Sequence, residues 1–340
     1  MGVNIASLLP IKEIKFEDLS NKKIGIDFFN VAYQFLSSIR GYDGTPLHDS
    51  KGRVTSHLQG LLARSLNLMS KGIKLTYVID GISPELKHME NEERKVRKLQ
   101  AEAKYKEAQD EENLDDMYKY SKQFVRLDSD MVEESKELIE ALGLPVVQAP
   151  SEAEGQIAFM NKKGDLWGCG SQDADSLLFG APRLIRNLTL SQKRTIRGKT
   201  VYTFLELIEL KAVLEKLDIS HDQLVALGIM IGTDFNNKGI VGIGPKKALK
   251  LIKDNKNEKQ FDKLFADLKA DFDWREVYDI FKNLPVEKDY SLKWKGINED
   301  KLKDLLVNRH DFNWERIKSL INKHEEDNKL NKQKGLGDFF

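Results

Sequence analysis

The sequence predicts an α/β protein with a mostly parallel central sheet flanked by helices. Five short apolar runs, rich in β-branched residues, occur in the first 190 residues, and helical patterns such as 55–70 and 131–142 lie between them. Apolar runs of this kind are typical of strands buried on both faces, and strands that alternate with helices indicate βαβ units. The predicted strands are 23–29, 73–80, 144–150, 166–171 and 183–188.

The composition is that of a soluble globular chain, and it excludes several classes of protein. At 340 residues the chain is long enough for one large domain or two ordinary ones. Lys plus Arg equals Asp plus Glu at 54 each, so net charge does not identify a partner. The single cysteine, Cys169, excludes disulfides and cysteine-based zinc sites and suits a reducing compartment. No apolar run reaches the roughly 20 residues of a membrane span, and the N-terminus lacks the pattern of a signal peptide. We therefore expect an intracellular protein without a membrane partner.

Three of the predicted strands lead directly into carboxylates. "KKIGIDFF" reaches Asp27, "KLTYVIDG" reaches Asp80, and "LWGCGSQDAD" reaches Asp173 and Asp175. Parallel strands bind ligands beyond their carboxyl ends, at the point where the strand order reverses. We therefore expect these four side chains to meet at one edge of the sheet.

Three further acidic residues fit the same edge, and each also has an ordinary structural explanation. Glu152 and Glu154 lie in "APSEAEGQIA", where Ser151 and Glu154 have the spacing of a helix capping box. Asp234 follows the apolar helix "LVALGIMIG" and could form a turn, and the aspartates after the strands could cap helices. Together, however, so many carboxylates would repel one another unless cations neutralised them. Hard oxygen ligands suit Mg²⁺ or Mn²⁺, and this combination favours a metal-dependent nuclease over coincidental capping.

The rest of the chain divides into segments of different character. Residues 85–126 are densely charged, contain no Gly or Pro, and predict helices with a thin apolar face. Residues 220–254 form a distinct unit, and 261–323 predict further helices. From about 325 the chain is polar, and we expect it to be a flexible tail.

The stretch "GIVGIGPKKALKLIKD" places glycines and Pro245 just ahead of a lysine-rich helix. Proline is tolerated at a helix start, and glycines let backbone N–H groups approach a phosphate. An ordinary helix connection is the alternative, but the density of Gly and Lys favours a clamp on the backbone of duplex DNA, because phosphate contacts position a duplex without reading its sequence. The candidate DNA-binding residues are Gly242, Gly244, Lys246, Lys247 and Lys250.

The last eight residues read "QKGLGDFF" and end a polar tail in two phenylalanines. In a solvated tail these two side chains would pack against nothing. A peptide that binds in a partner's pocket through aromatic anchors explains them better than an unbound tail does. The pattern Q-x-x-Φ-x-x-F-F, which is typical of sliding-clamp binding, is matched by Gln333, Leu336, Phe339 and Phe340.

Seven stretches, in order along nearly the whole chain, resemble the motifs of the flap endonucleases, which are structure-specific 5′-nucleases of DNA replication and repair. They are "MGVNIASLL", "GIDFFNVAYQFL", "TYVIDGISPELK", "APSEAEGQIA", "GSQDADSLLFG", "MIGTDFN" and "GIVGIGPKKALKLI". The resemblance implies the 5′-nuclease (PIN-like) fold, with a helical arch and a helix–hairpin–helix element. It implies two Mg²⁺ ions, replaceable by Mn²⁺. All seven positions of the family's metal site are acidic here: Asp27, Asp80, Glu152, Glu154, Asp173, Asp175 and Asp234.

The same resemblance implies roles for five other residues. Lys87 and Arg94, seven apart on one helix face, match the family's contacts to the scissile phosphate, although a solvated charged helix would also carry them. Tyr33 matches an aromatic residue that stacks on a base, with burial in the core as its alternative. Arg64 matches a phosphate contact, although it could be an ordinary surface residue, and Thr55 belongs to the loop 47–58 that receives a 3′ flap.

The resemblance also implies an organisation and a set of partners. Residues 1–324 would form a single nuclease domain, with the arch and cap at 83–130 and the helix–hairpin–helix at 220–254. The tail, 325–340, would carry the clamp-binding motif at 333–340. The substrate would be branched DNA with a 5′ flap, the partner the replicative sliding clamp (PCNA), and the chain a monomer on its own. A K⁺ ion on the hairpin-turn carbonyls is a further implied ligand.

We expect cleavage at the base of 5′ flaps, with 5′-exonuclease activity, in Okazaki-fragment maturation and DNA repair. The family's animal and fungal members have a basic tail after the clamp motif, which is lacking here, so an archaeal cytoplasmic enzyme is favoured over a nuclear one. The loop 47–58 has Lys51 and Arg53 where eukaryotic members are acidic, which leaves the preferred 3′-flap length open. The alternatives are a sister 5′-exonuclease, bubble or junction nuclease, a non-catalytic clamp-tethered DNA-binding protein, and a PIN-type ribonuclease.

Overall fold

A computed structural model describes residues 3–41, 44–87, 96, 99–104, 127–190, 192–196 and 199–337, which form an α/β fold. Its centre is a sheet of seven strands in the order β1-β9-β6-β5-β2-β3-β4. The strands are β1 (Lys12–Ile14), β2 (Lys23–Asp27), β3 (Lys74–Ile79), β4 (Val146–Gln148), β5 (Gly168–Gly170), β6 (Arg183–Arg186) and β9 (Leu205–Glu209); β7 (Lys193–Ile196) and β8 (Lys199–Tyr202) form a separate hairpin.

The five strands predicted from apolar runs are parallel neighbours in the order β6-β5-β2-β3-β4. From β2 the chain moves to β3 and β4 on one side, and then crosses to β5 and β6 on the other side. The strand order therefore reverses around β2, and the crevice expected for a ligand opens at the carboxyl ends of β2 and β5. The sequence-based prediction of an α/β fold with a mostly parallel sheet is confirmed.

Two strands at the other edge of the sheet are not foreseen by the apolar-run pattern. β9 pairs antiparallel with β6, and β1 pairs antiparallel with β9. Strand β1 has only three residues, of which two are exposed, and two of the five residues of β9 are glutamates. Neither forms the continuous apolar run that identifies a strand buried on both faces.

The two helices between β2 and β3 pack on one face of the sheet. Helix α1 (Phe28–Ser38) begins where β2 ends, and α2 (Ser56–Met69) returns the chain towards β3. Their contact is close because Gly60 of α2 lies against the ring of Phe35, where an added Cβ would be 2.2 Å from the ring carbon Cγ. Helix α3 (Ser129–Ala141) packs on α2 and leads to β4.

The remaining helices lie on both faces of the sheet, and those after residue 298 pack against α2 and α3. They are α4 (Ala153–Lys163), α5 (Asp175–Leu178), α6 (Leu210–Leu217), α7 (His221–Ile231), α8 (Pro245–Lys253), α9 (Glu258–Asp267), α10 (Trp274–Asn283), α11 (Glu299–Leu302), a π-helical segment (Lys303–Arg309) and α12 (Trp314–Gly337). An extended segment between α10 and α11 is fastened to the sheet where the indole Nε1–H of Trp294 donates to the Leu75 carbonyl at 2.7 Å. No helix among the described residues is both long and apolar enough to cross a membrane.

The backbone after residue 325 differs from the irregular chain that we expect from its polarity. Helix α12 continues to Gly337, so the segment 325–337 is helical. This segment has no Pro, its first Gly is Gly335, and Glu325 and Lys329 have the i,i+4 spacing that supports a solvated helix. High polarity indicates that a helix lacks a core to pack against, but it does not exclude the helix itself.

Candidate metal centre and DNA-binding surface

The acidic residues predicted to meet do lie at one edge of the sheet. Asp27 is the last residue of β2, Asp80 directly follows β3, and Asp173 lies three residues after β5. Glu152 is the residue before α4. The start of α4 lies beside the end of β3, where the Ala153 N–H donates a hydrogen bond to Asp80 Oδ1 at 2.6 Å. The topology of the sheet, and not local sequence, brings these side chains together.

Hydrogen bonds hold several of the carboxylates in position through one oxygen each. Asp27 Oδ1 accepts from the Asn30 N–H at 3.1 Å, which makes Asp27 the cap of α1. Asp175 Oδ1 accepts from the Val3 N–H at 2.7 Å, and this bond ties the N-terminal segment to the site. Glu154 Oε1 accepts from the Ser171 hydroxyl at 2.8 Å. These bonds fix the orientation of each carboxyl group.

Two of the capping alternatives considered for the sequence have opposite outcomes. Asp27 does cap a helix, as its position allows. The capping box of Ser151 and Glu154 does not form, because the residue at the cap position is Glu152, whose side chain accepts no capping hydrogen bond. Glu152 and Glu154 are therefore directed to the site and are not used to cap α4.

Burial and mutual repulsion raise the pKa values of the carboxyl groups on the β2–β3 side. Burial, and next the charge of Asp80, raise the pKa of Asp27 to about 8. Burial and the charge of Glu152 raise the pKa of Asp80 to about 6. These shifts mean that the protein without a cation holds protons on carboxyl groups that would be ionised in water.

A second group of acids lies on the β5 side and interacts with the first. Burial raises the pKa of Asp175 to about 7, and the charges of Asp234 and Asp173 act in the same direction. Burial, and then the charges of Asp175, Asp173 and Asp27, raise the pKa of Glu154 well above its ordinary value. The seven predicted carboxylates thus form one electrostatic network.

Lys87 is the cation that this network contacts. Its ammonium group donates a hydrogen bond to Glu152 Oε2, and its side chain is only 14% exposed. Burial would lower the pKa of this ammonium, but the charges of Glu152, Asp80 and Asp234 raise it above its ordinary value. Lys87 ends the short 3₁₀ turn Glu85–Lys87 that follows β3, so the same strand end supplies both an acid and the cation. It stays protonated and neutralises part of the acidic charge.

The chemistry of the donor set fits divalent cations of the Mg²⁺ type. The buried Oε1 of Glu152 has no hydrogen-bond partner in the part of the chain that the structure describes. All seven predicted ligands offer hard oxygen atoms, which Mg²⁺ and Mn²⁺ prefer. Among the described residues, no group of three or more Asp, Glu, His or Cys side chains is close enough together to hold a metal ion in this conformation.

The polar neighbours of the carboxylates were not predicted from the sequence. The Asn30 side-chain amide donates to Asp173 Oδ2 at 3.1 Å, and the Ser171 hydroxyl bonds Glu154 and accepts from the Asp173 N–H at 3.1 Å. Both residues therefore orient predicted metal ligands. The sequence feature that could have identified them is their closeness to predicted metal ligands, because Asn30 is three residues after Asp27 and Ser171 is two before Asp173.

The residues predicted to bind DNA around α1 and α2 differ in accessibility. Tyr33 is 38% exposed, with its ring centroid 6.5 Å from that of Phe29, so it is not a core residue. Arg64 is half-buried, and burial lowers the pKa of its guanidinium. Thr55 is 5% exposed and offers little side-chain surface in this conformation. The DNA contacts of all three stay predictions.

The glycine-rich turn joins α7 to α8 as a helical hairpin. Gly242 has φ +77°, Gly244 caps α8, and no atom lies within 4 Å of a Cβ built on either of them. The turn is therefore open to a bulky anion such as a phosphate. Pro245 is the first residue of α8, and the predicted DNA-binding lysines on this helix, Lys246, Lys247 and Lys250, are not buried.

Several predicted residues cannot be placed. Arg94, Phe339 and Phe340 lie outside the described residues, as does most of the predicted arch. Gln333 and Leu336 belong to α12, but their side chains are outside the described set. Of the predicted arch and cap, 83–130, the structure describes residues 83–87, 96, 99–104 and 127–130, and residues 96 and 99–104 are helical.

Comparison with known families places the two halves of the acidic site in recognised domains. The chain matches the XPG N-terminal domain over residues 3–101 and the XPG I-region over residues 143–234. These two ranges contain all seven predicted carboxylates.

Curated relatives match over nearly the full length of the chain. Flap endonuclease 1 of Aeropyrum pernix is 47% identical, with 94% of this chain and 93% of the relative covered. Flap endonuclease 1 of Pyrococcus horikoshii is 45% identical, with 100% and 98% covered. Both relatives come from archaea.

Solved structures give the same result for the fold. Flap endonuclease-1 from Methanococcus jannaschii superposes with a TM-score of 0.76 at 39% identity, covering 96% of this chain and 98% of that one. The catalytic core of Rad2 in complex with a DNA substrate has a TM-score of 0.68 at 21% identity, with 92% and 96% covered, and supports the fold alone.

Proposed function

Because this chain belongs to the flap endonuclease 1 family, we propose that it cuts branched DNA at the base of a 5′ flap by a two-metal mechanism. It is a structure-specific nuclease, and nucleases of this family depend on divalent metal ions. The observation that carries the two-metal proposal is the network of seven carboxylates at the carboxyl ends of β2, β3 and β5, in which burial and neighbouring charges raise the pKa values of Asp27, Asp80, Glu154 and Asp175.

The acidic network would hold two Mg²⁺ ions, with Mn²⁺ as a substitute. Asp27, Asp80 and Glu152 lie on one side of the site, and the β5 side adds four more acids: Glu154, Asp173, Asp175 and Asp234. When bound, the metal ions supply an acidified water and stabilise charge on the phosphate. The raised pKa values support this assignment, because carboxyl groups forced to hold protons become ligands once a cation replaces those protons.

Protein groups perform the rest of the chemistry. Asn30 and Ser171 hold Asp173 and Glu154 in fixed orientations. Lys87, buried beside Glu152, offers a permanent ammonium to the scissile phosphate, and Arg94 is proposed to act with it. Cationic donors that are already in position stabilise the additional charge of the transition state without reorganising water. Stacking of a base on the exposed ring of Tyr33 would keep the cut nucleotide in place.

The hairpin of α7 and α8 is proposed to hold the duplex beside the cut. The N-terminus of α8, its open glycines and its accessible lysines can contact phosphates of one strand without reading bases. Carbonyls of the turn could hold a K⁺ ion. Arg64 and Thr55 are proposed to contact DNA on the other side of α1.

The C-terminal segment is proposed to tether the enzyme to the replicative sliding clamp. Gln333, Leu336, Phe339 and Phe340 match the required pattern at every position. An enzyme that is a monomer on its own would gain a high local concentration of DNA junctions through this tether. Residues 1–324 would act as the nuclease domain, and the work would be Okazaki-fragment maturation and repair in a cell without a nucleus.

The test uses a 5′-labelled double-flap DNA, scored for product length with Mg²⁺, beside a bubble substrate that has no free 5′ end. We expect one cut at the flap junction and an intact bubble, because the flap must be threaded from its end. Cutting of the bubble or of a four-way junction would assign the chain to a sister activity. DNA binding without any cut in Mg²⁺ or Mn²⁺ would contradict the catalytic proposal.

A further inference from the structure

A second group of buried charges lies away from the metal centre, behind the loop that joins α1 to α2. We name it the imidazole cluster, and its members are His310, Asp49 and Glu134. The ring of His310 is buried, and its Nδ1 lies 3.0 Å from Asp49 Oδ2. Its Nε2 lies 2.9 Å from Glu134 Oε1, off the line of an ideal hydrogen bond, so this second contact is chiefly Coulombic.

The cluster joins three separate elements. Asp49 belongs to the loop 47–54, Glu134 to α3, and His310 directly follows the π-helical segment Lys303–Arg309. A π-helix is rare and is frequently found at functional sites. The next residue, Asp311, has φ +59°, so the backbone turns sharply as soon as His310 has entered the interior.

The two ring nitrogens of His310 differ in their contacts. Nδ1 shares a hydrogen bond with Asp49 Oδ2, whereas Nε2 lies near Glu134 without a hydrogen-bond partner among the described residues. The ring therefore fastens the loop 47–54 to the interior through Asp49.

The contacts around His310 shift the pKa values of two neighbouring groups. Burial would raise the pKa of Asp49, but hydrogen bonds from Arg53, His310 and the Lys51 N–H lower it to about 2, so it stays ionised. Burial, and next the positive charge of His310, lower the pKa of His57 to about 4, so this neighbouring ring is neutral.

Further contacts fasten the loop to the same segment. Asp311 Oδ2 accepts from the Ser50 N–H at 2.9 Å, the Arg53 guanidinium donates to the Arg309 carbonyl, and Arg53 Nε donates to Asp49 Oδ2 at 2.7 Å. Glu137 of α3 pairs with Arg309. These are the other charged groups that face the cluster from the elements around it.

The loop held in this way presents positive charge outward. Lys51 is exposed, and the Arg53 side chain is 40% exposed. Helix α1 begins directly after Asp27 and is roughly 16 Å long at 1.5 Å per residue, and the chain reaches the loop only after the far end of this helix.

We propose that His310 is a positioning residue whose buried ring, hydrogen-bonded to Asp49, holds the loop 47–54 rigid so that Lys51 and Arg53 contact phosphates of the substrate duplex. The inference rests on the proposed function, because it takes branched DNA as the ligand. It adds a residue that touches neither metal nor DNA to the set that determines substrate affinity.

The first test observes the rigidity of the loop directly in the full chain without DNA. The backbone amides of residues 47–54 should exchange with solvent slowly in the wild type and about ten-fold faster in His310→Gln. Equal exchange in the two proteins would overturn the proposal. The measurement needs no nuclease activity, so it is independent of the proposed function.

The second test measures affinity for flap DNA in Ca²⁺, where binding is scored without cutting, and then cleavage kinetics in Mg²⁺. We expect His310→Gln to raise Kd and KM about five-fold, to leave kcat within about two-fold, and to reduce the slope of log K against log salt by about one to two, since each neutralised phosphate contributes about 0.9. Lys51→Gln, which leaves the contacts of His310 and Arg53 in place, should reduce the slope by about 0.9 without changing the exchange of the loop amides.

The matched control is His324→Gln, which changes a buried histidine of α12 outside the cluster and should leave the slope unchanged. A fall in kcat at constant KM, or an unchanged salt slope in both the His310 and the Lys51 variants, would overturn the positioning role. If His310→Gln fails to fold, the Lys51 variant and the exchange of the loop amides in the wild type still decide the question. Absence of flap cleavage by the wild type would contradict the proposed function alone.

Discussion

The ammonium group of Lys87 is hydrogen-bonded to Glu152 and is almost fully buried beside it. This ion pair places a permanent cation within a set of carboxylates that repel one another. Lys87 therefore neutralises part of the site in the metal-free protein, and it competes with metal ions for the Glu152 carboxylate.

Replacing Lys87 by Gln should separate these two roles. We expect kcat on flap DNA to fall about 10²-fold or more, since the variant lacks one positioned donor to the reacting group. The Mg²⁺ concentration for half-maximal binding should also fall, by about ten-fold, because a charge-assisted hydrogen bond worth about 1.5–3 kcal/mol no longer occupies Glu152. Metal binding is measured by titration calorimetry, and kcat by single-turnover cleavage.

The control for this variant is Lys211→Gln, which changes a lysine of α6 whose side chain is 88% exposed. It should alter neither quantity. An unchanged or weaker Mg²⁺ affinity in Lys87→Gln would mean that the ion pair does not compete with the metal.

The stability of the metal-free protein should decrease as the pH rises. Burial and neighbouring charges raise the folded-state pKa values of Asp27, Asp80 and Asp175 to about 8, 6 and 7, above their values in the unfolded chain. Between about pH 4 and pH 8 the unfolded state therefore binds fewer protons than the folded state, and a rise in pH favours unfolding. A shift of one unit corresponds to about 1.4 kcal/mol, so Tm in EDTA should fall by at least about 2 °C over this range.

Mg²⁺ should remove this dependence, because a bound cation replaces the protons. Calorimetric melting at several pH values, with EDTA or with Mg²⁺, measures both effects. A Tm in EDTA that rises with pH between 5 and 8, or identical profiles under the two conditions, would contradict the proposed repulsion.

Some parts of the fold and the site have a pattern in the local sequence, and others do not. Runs buried on both faces identified β2 to β6, and the position of Asp27 and Asp80 after such runs identified the metal centre. The edge strands β1 and β9 lacked that signal because they are short or half-polar. His310 was missed because its partners, Asp49 and Glu134, are distant in sequence, and no local pattern reveals a contact made only by tertiary folding.

Asp27→Asn should stabilise the metal-free protein and reduce its nuclease activity. The neutral amide removes one charge from the repelling network and can still accept the hydrogen bond from the Asn30 N–H. We therefore expect a higher Tm than that of the wild type in EDTA at pH 8, with flap cleavage reduced about 10³-fold or more because a metal ligand is missing. The exposed control Asp271→Asn should change neither, and a lower Tm for Asp27→Asn in EDTA would show that this carboxylate is needed by the fold itself.

The lysines of α8 should affect binding but not chemistry. Lys246 and Lys250 are exposed, and the glycine turn before α8 is open, so the helix can lie against a duplex backbone. For the double variant Lys246→Gln with Lys250→Gln, we expect weaker binding to every duplex sequence. The slope of log K against log salt should fall by about 0.9 for each phosphate that the helix no longer neutralises. At saturating DNA, kcat should stay within about two-fold of the wild type.

Fluorescence anisotropy at several salt concentrations measures the slope, with Lys211→Gln again as control. An unchanged slope would exclude a phosphate-binding role for this helix, and a sequence-dependent decrease in affinity would indicate that these lysines read bases.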